Sequence, residues 1–525
     1  MIDRLIIPMS GLGKRFLSEG YETPKYLLNF NRKSIISWQL SLLKDIKKID
    51  LVCNSSDLNN ESLKLVDELQ MINKNVNIIG IAPHDKGPGW ALYNSIKEHS
   101  SSEKILVSYC DFYSFFDLNK FEQFLDKVNP SGAIFTYTQF HPHRLRNNKY
   151  AYVKKIDDNV VEVKEKSWFT NEPFNEEVSN GMYYYSDSLY LKQIILDMFE
   201  EGNELINNEL YLSVIYNKLI QDKKTVKTYQ VDNFFQFGTP QDYEDLLYWH
   251  KNFYTESNEI NNKNSNQKND TQFNVVLLAS GYGTRLKEAG YDSEKAVVTV
   301  GNKPMAYYSY CSLIESSQKV NFYVIKRKEQ DLSTLWHIIK NQFKHHFQVE
   351  ISSSTQGQAD SLKMALEKID NENPILVLPC DSYFNFDNEN LMNSFTFDSV
   401  IWTVENYPYS MLDRSSFAWI KSDENRQIQD SRFKESPEDK DWSLISGAFS
   451  FKSKTIANKI IDDIFSKEIK VNNEYYLDTI SHSKIRQNYN ISEYKVDKFL
   501  SLGTLDELKT FQYLKSLSEL DIWKS

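Results

Sequence analysis

The sequence predicts an α/β protein of two tandem domains, each a mixed, mostly parallel sheet covered by helices, and three observations carry that prediction. Ser10-Gly11-Leu12-Gly13-Lys14-Arg15 returns 270 residues later as Ser280-Gly281-Tyr282-Gly283-Thr284-Arg285, each copy directly after an apolar run. Short apolar runs alternate with amphipathic stretches on both sides of a polar, aperiodic segment at 252–272, which has the composition of a linker. A chain of 525 residues exceeds one ordinary core, so one large domain of roughly 250 residues per repeat is the natural division.

In the first domain, 1–251, the strand-like Leu5–Met9 is followed by a helix-like Ile35–Lys47, a strand at Asp50–Cys53 and a helix-like Ser62–Ile72. A strand at Val76–Ile81, a helix from Trp90 to Glu98 and a strand at Ile105–Cys110 complete the run. Such alternation implies parallel βαβ units under helical cover. The second domain, 273–525, repeats the order with strands at Val275–Ala279, Asn321–Ile325, Gln348–Ser352 and Ile375–Cys380. Amphipathic helices at Gln241–Phe253 and Leu505–Trp523 close the two domains. Their apolar stripes either cap the sheet or serve a subunit contact, which leaves a homo-oligomer open.

Composition excludes several classes. Lys and Arg number 61 against 72 Asp and Glu, a net charge of −11 with no basic stripe, so neither nucleic acid nor an anionic membrane surface is an expected partner. Apolar runs are strand-sized and no signal core opens the chain, which predicts no membrane insertion and a soluble, cytoplasmic protein. Four cysteines make no disulfide framework, and Cys110 and Cys380, each before an Asp at a strand end, read as buried thiols. His141-Pro142-His143 and His345-His346 lack neighbouring Cys, Asp or Glu at metal-ligand spacing and read as loop histidines.

The duplication lets the two halves be read against each other. Gly11, Gly13, Arg15, Gly20, Tyr21, Lys25, Gly87, Leu92, Asp111 and Glu165 recur at plus 270 as Gly281, Gly283, Arg285, Gly290, Tyr291, Lys295, Gly357, Leu362, Asp381 and Glu435. Asn207-Asn208-Glu209 recurs as Asn472-Asn473-Glu474, and Gly238-Thr239 as Gly503-Thr504, both at plus 265. A glycine-rich turn between a strand and a helix cradles phosphate through backbone N–H groups. The third glycine of a dinucleotide fingerprint and the Gly-Lys-Ser/Thr of a P-loop are both absent. Arg15 and Arg285 enter the turn instead, with Lys25 and Lys295 ten residues on, two cations suited to a polyphosphate. Asp111 and Asp381 each end a strand, where a parallel sheet binds ligands and where Mg²⁺ on nucleotide phosphates takes an oxygen ligand. Such a glycine turn also serves as plain backbone geometry and such an Asp as a helix cap. Recurrence of the whole set at fixed spacing favours the phosphate and metal readings.

Ile7–Phe16 with Gly20-Tyr21 and Pro24-Lys25 resembles the opening of the sugar-1-phosphate nucleotidyltransferases, most closely their capsule and surface-polysaccharide branch. The resemblance continues through Gly87–Leu92, Asp111, Val163–Lys166, Asn180-Gly181, Asn207–Glu209 and Phe237–Pro240, and covers nearly all of each domain. It implies tandem Rossmann-like (GT-A-like) domains, Mg²⁺ as cofactor, and attack of a sugar 1-phosphate or similar phosphorylated alcohol on the α-phosphorus of an NTP. Pyrophosphate leaves, and the product is an NDP-activated precursor for surface polysaccharide. Nucleotide binding then falls to Gly11, Gly13, Gly87, Gly281, Gly283, Gln356 and Gly357, and transition-state charge to Arg15, Lys25, Arg285 and Lys295. Asp111 and Asp381 would hold metal, and Glu165, Lys166, Asn180 and Glu435 the acceptor.

Departures from the pattern point to where the domains differ. Gln236 and Ser501 stand where the family places a second metal-binding Asp, which makes Glu209 a candidate ligand. In the second domain Glu294 replaces Pro24, Ser436 replaces Lys166 and Ser446 replaces Asn180. That domain is therefore expected to use another acceptor or to bind nucleotide without turnover. The competing readings are a non-catalytic nucleotide-sensing or scaffold subunit, and an NDP-sugar-dependent glycosyltransferase. The latter lacks its Asp-x-Asp here, since Asp111-Phe112-Tyr113 and Asp381-Ser382-Tyr383 have no second carboxylate.

Overall fold

A computed structural model describes the chain except for residues 61–64, 73–75, 147–149, 203, 232, 254–270, 352–354, 438–440, 518–519 and 525. Two compact units emerge, Met1–Leu247 with Glu519–Ser525, and Tyr248–Ser518. Most of the polar segment 252–272 lies outside the described residues.

In the first unit Val76–Ile81, Lys48–Asn54, Arg4–Met9 and Ile105–Ser108 lie side by side in that order, all parallel. Glu177–Tyr185 then pairs antiparallel with Ile105–Ser108, which makes the sheet mixed. Successive side chains of a strand face opposite sides. Leu5, Ile7 and Met9 accordingly pack with Ile36 and Leu40 of helix Ile35–Leu42, while Ile6 packs with Ala91 and Leu92 of helix Pro88–Ile96. Burial on both faces explains why these strands read as unbroken apolar runs. The helix expected over Ile35–Lys47 stops at Leu42, because Leu43 and Ile46 bury themselves in a turn whose Ile46 N–H donates to the Leu43 carbonyl. The helix expected over Ser62–Ile72 is present as Leu65–Ile72, with its first residues outside the described set.

The second unit repeats the order as His345–Ile351, Val320–Arg327, Phe273–Leu278 and Ile375–Pro379, followed by antiparallel Ser443–Phe451. Where the strands begin, the two units differ in chemistry. Arg4 donates to Asp50 and Glu103 in the first, whereas Asn274 donates to Asn371 and accepts from Asn321 in the second. His141 and His143 lie in a loop, as expected, with His141 buried and His143 half-buried against Tyr137 and Phe234, and burial lowers both pKa values. Cys110 and Cys380 are buried thiols as expected.

Candidate functional site

Both units assemble their retained residues at the C-terminal ends of the parallel strands. The turn after Arg4–Met9 reaches helix Lys14–Ser18 through Gly13 at φ 60°, and its counterpart reaches Thr284–Glu288 through Gly283 at φ 64°, a left-handed conformation that favours glycine. Lys25 Nζ lies 2.5 Å from Asp111 Oδ2, and Lys295 Nζ pairs likewise with Asp381 Oδ2. Burial alone would lower each lysine pKa. The adjacent carboxylate outweighs it, so both are raised and the ammoniums stay charged. In the second unit Gly283, Arg285, Lys295 and Gly503 line one cleft of about 240 Å³.

A two-stranded ribbon brings the later motif to each aspartate. Asn233–Gln236 pairs with Phe112–Phe115, and the Phe237 N–H donates to the Asp111 carbonyl at 2.8 Å. Lys498–Ser501 pairs with Ser382–Asn385 in the same way, and the Leu502 N–H donates to the Asp381 carbonyl at 2.7 Å. A side chain at Gly238 would run into Gln236 and lie 3.3 Å from Asp111 Oδ2, so Gln236 sits beside that carboxylate. Ser501 flanks Asp381 through Gly503 in the same way. One carboxylate with an amide or hydroxyl beside it fits an oxygen-preferring Mg²⁺ that takes its remaining ligands from substrate phosphates and water. Among the described residues no group of three or more His, Cys, Asp or Glu is placed to hold a metal.

The Asn-Asn-Glu motif is a turn. Asn207 and Asn208 have φ 54° and 64°, Asn472 and Asn473 φ 49° and 64°, and each pair is closed by an antiparallel bridge, Ile206 to Glu209 and Val471 to Glu474. This is the two-residue hairpin geometry that Asn tolerates. The turn seats the residues after it against the glycine turn at Gly87, where a Cβ would lie 3.0 Å from the Leu210 backbone, and at Gly357, where it would lie 2.6 Å from the Tyr475 carbonyl oxygen. Gln356 is exposed, with its N–H donating to Asp360. Glu209 accepts from the Tyr211 hydroxyl at 2.7 Å, and Tyr211 accepts from Lys166 Nζ at 2.6 Å, which groups Glu209 with the expected acceptor lysine. Arg15 is near enough to both Lys25 and Tyr211 to act on each electrostatically. Glu165 accepts from the Ser213 hydroxyl at 2.6 Å, and burial raises its pKa. Asn180 is buried, bonded to Ser114 and to the Met182 N–H, and Ser446 makes the matching bond to the Ala448 N–H. Both brace a glycine of positive φ, Gly181 and Gly447.

Strand register corrects the plus-270 pairing at the acceptor corner. Glu165 pairs with Ala151, whereas Phe433 pairs with Ala418, the equivalent first residue of its strand. The next residue, Lys166 or Lys434, has φ 58° or 57° and donates its N–H to the residue before that alanine, Tyr150 or Phe417. The counterpart of Lys166 is therefore Lys434, not Ser436, and Glu165 is matched by Phe433, not by Glu435, which is exposed beyond the strand. Across the corner, plus 265 matches Ser213 with Asp478. The lysine is kept, and the carboxylate has moved from one wall to the other. Asp478 feels the Lys434 charge, and desolvation nonetheless pushes its pKa up to about 6. Lys434 in turn feels Arg285.

Glu294 is also more than a lost proline. It accepts from Arg327, which is 3% exposed, donates to the Ser280 carbonyl and to Glu329, and stacks under Tyr282 at 4.1 Å. Register places Asn54, a helix cap, at the Arg327 position of the first unit. There the turn is tied instead by His84 to Ser10 at 3.1 Å. Tyr211 and Tyr476, which recur at plus 265 directly after the Asn-Asn-Glu turn, were detectable in the repeat. Arg327 carries no such signal.

A glycine turn, a lysine and an aspartate meet at the same place in both halves of a duplicated α/β sheet. The model of the nucleotidyl transferase family matches residues 5–250 and again 274–511, so the chain belongs to the nucleotidyl transferase family and carries the domain twice. Solved structures similar to it include a nucleoside-diphosphate-sugar pyrophosphorylase from Vibrio cholerae RC9 (17% identity, 46% of this chain and 99% of that one, TM-score 0.38). An inositol-1-phosphate CTP transferase from T. maritima is 14% identical over 46% of this chain and 91% of that one, with TM-score 0.36. A CTP:phosphocholine cytidylyltransferase from Streptococcus pneumoniae is 19% identical over 47% and 97%, with TM-score 0.35. No curated protein matches by sequence. Among the described residues no helix is long and apolar enough to cross a membrane.

Proposed function

We propose that the first unit transfers a nucleotidyl group from an NTP to a sugar 1-phosphate or similar phosphorylated alcohol, giving an NDP-activated precursor for surface polysaccharide. The observation that carries this reading is the pairing of Lys25 with Asp111 at one corner and of Lys166 with Tyr211, beside Glu165, at the other, with the Arg15 charge acting on both. An acceptor phosphate oxygen forms a bond to the α-phosphorus as the bond to the bridging oxygen of pyrophosphate breaks. Two anions meet, so the main requirement is alignment and cationic neutralisation.

Lys25 neutralises the α-phosphate, Arg15 the departing β- and γ-phosphates, and Lys166 the acceptor phosphate, while Glu165 accepts hydrogen bonds from acceptor hydroxyls. Asp111, with Gln236 alongside, would hold Mg²⁺, which when bound supplies further neutralisation of the phosphates. The second unit, with Arg285, Lys295, Asp381 and Lys434 in matching positions, is read as a second transferase of different acceptor. Pyrophosphate release screened across four NTPs and a panel of phosphorylated sugars and alcohols tests the reading. Release abolished by Lys25→Ala for the first unit's acceptor supports it, and release indifferent to both Lys25→Ala and Lys295→Ala refutes it.

A further inference from the structure

The reciprocal exchange at the acceptor corner carries a substrate assignment for the second unit that rests on the transferase reading above. In the first unit the carboxylate of Glu165 is already engaged by the Ser213 hydroxyl at 2.6 Å. In the second, Phe433 takes the Glu165 position and Asp478 the Ser213 position, and among the described residues no hydrogen bond is made to the Asp478 carboxylate. Lys434 Nζ donates to the Ser416 carbonyl and acts on Asp478 through its charge, with no hydrogen bond or ion pair between the two among the described residues. A partly buried carboxylate without a donor is costly to keep unless something supplies one.

We propose that Asp478 selects the second unit's acceptor, a phosphorylated compound whose phosphate lies toward Lys434 and Arg285, whose hydrogen-bond donor meets Asp478, and whose apolar side lies on Phe433. Two donor sources share this chemistry, a hydroxyl and an ammonium. The hydrogen-bond acceptor wall has moved by one element, from the strand bearing Glu165 to the turn bearing Asp478, so the acceptors of the two units differ in where the donor sits relative to the phosphate.

The test uses the full chain with Lys25→Ala, which silences the first unit, and follows pyrophosphate release with ethanolamine phosphate, glycerol phosphate and glucose 1-phosphate as probes of ammonium, polyol and sugar donors. Adding Asp478→Ser is expected to raise the acceptor KM about tenfold or more while the NTP KM stays within about twofold. Asp478→Asn, which keeps the shape, is expected to hurt an ammonium acceptor more than a hydroxyl one. Phe433→Glu with Asp478→Ser installs the first unit's pair and is expected to shift the acceptor ranking toward that of the first unit. An acceptor KM unmoved by both single variants overturns the inference and leaves the transferase reading standing. Absence of release from the Lys25→Ala chain with every NTP and acceptor, with NTP binding retained in calorimetry, overturns the inference together with the transferase reading of the second unit, and leaves that of the first unit standing.

Discussion

In the first unit Glu165 takes the Ser213 hydroxyl, and in the second Phe433 and Asp478 occupy those two positions, yet the lysine that follows keeps the same backbone conformation in both. The nucleotide corner shows no such exchange, for Lys25 on Asp111 and Lys295 on Asp381 are the same pair twice. On the proposed reading, a duplicated fold thus holds constant the residues assigned to the triphosphate and varies those assigned to the second substrate. Support beneath the glycine turn is also free to vary. A buried Arg327–Glu294 pair braces one turn and a His84–Ser10 bond the other.

Four changes break or sharpen this contrast. Lys25→Ala and Lys295→Ala should each remove about a hundredfold or more of the turnover of their own unit and leave the other unit's unchanged, as read by pyrophosphate release. Arg327→Leu removes the buried partner of Glu294, which keeps Gln330 and Lys287, and should destabilise the second unit by about 3 kcal/mol and raise its NTP KM, measured by denaturant unfolding and steady-state kinetics. The corresponding change in the first unit, Asn54→Ala, removes only a helix cap and should cost about 1 kcal/mol.

Acid should separate the strand starts as well. Hydrogen bonds from Arg4 hold Glu103 down at about 2 against an ordinary 4.5. A depressed carboxylate pKa stabilises the fold above the unfolded value and loses that contribution as pH falls through the folded one. The first unit should therefore lose about 1 kcal/mol between pH 4.5 and pH 2 after solvent screening, a loss that Glu103→Gln removes from the pH profile of thermal melting. The second unit's Asn274–Asn321–Asn371 group does not titrate there.

Much of this was legible in the repeat. The plus-270 offset located Gly13, Arg15, Lys25, Asp111 and their partners because strands of fixed length separate them. It failed at the acceptor lysine because helix Asn388–Ser394 has seven residues where Leu118–Val128 has eleven, which slips the register before the Ala418 strand is reached. Ser436 and Glu435 then fell opposite Lys166 and Glu165 by arithmetic alone. The role of Asn207-Asn208 as a turn was hidden for a different reason, since its φ angles and its seat against Gly87 are properties of the folded backbone. Arg327 was unreadable because one arginine at a strand end carries no pattern until its partners Glu294 and Ser280 are brought to it.

The most direct test of the central contrast measures the acceptor profile of the Lys25→Ala chain against that of the Lys295→Ala chain over one panel of NTPs and phosphorylated acceptors. Two active chains with different preferred acceptors are predicted. Identical acceptor profiles, or a Lys25→Ala chain that releases no pyrophosphate from any pair, would contradict the account.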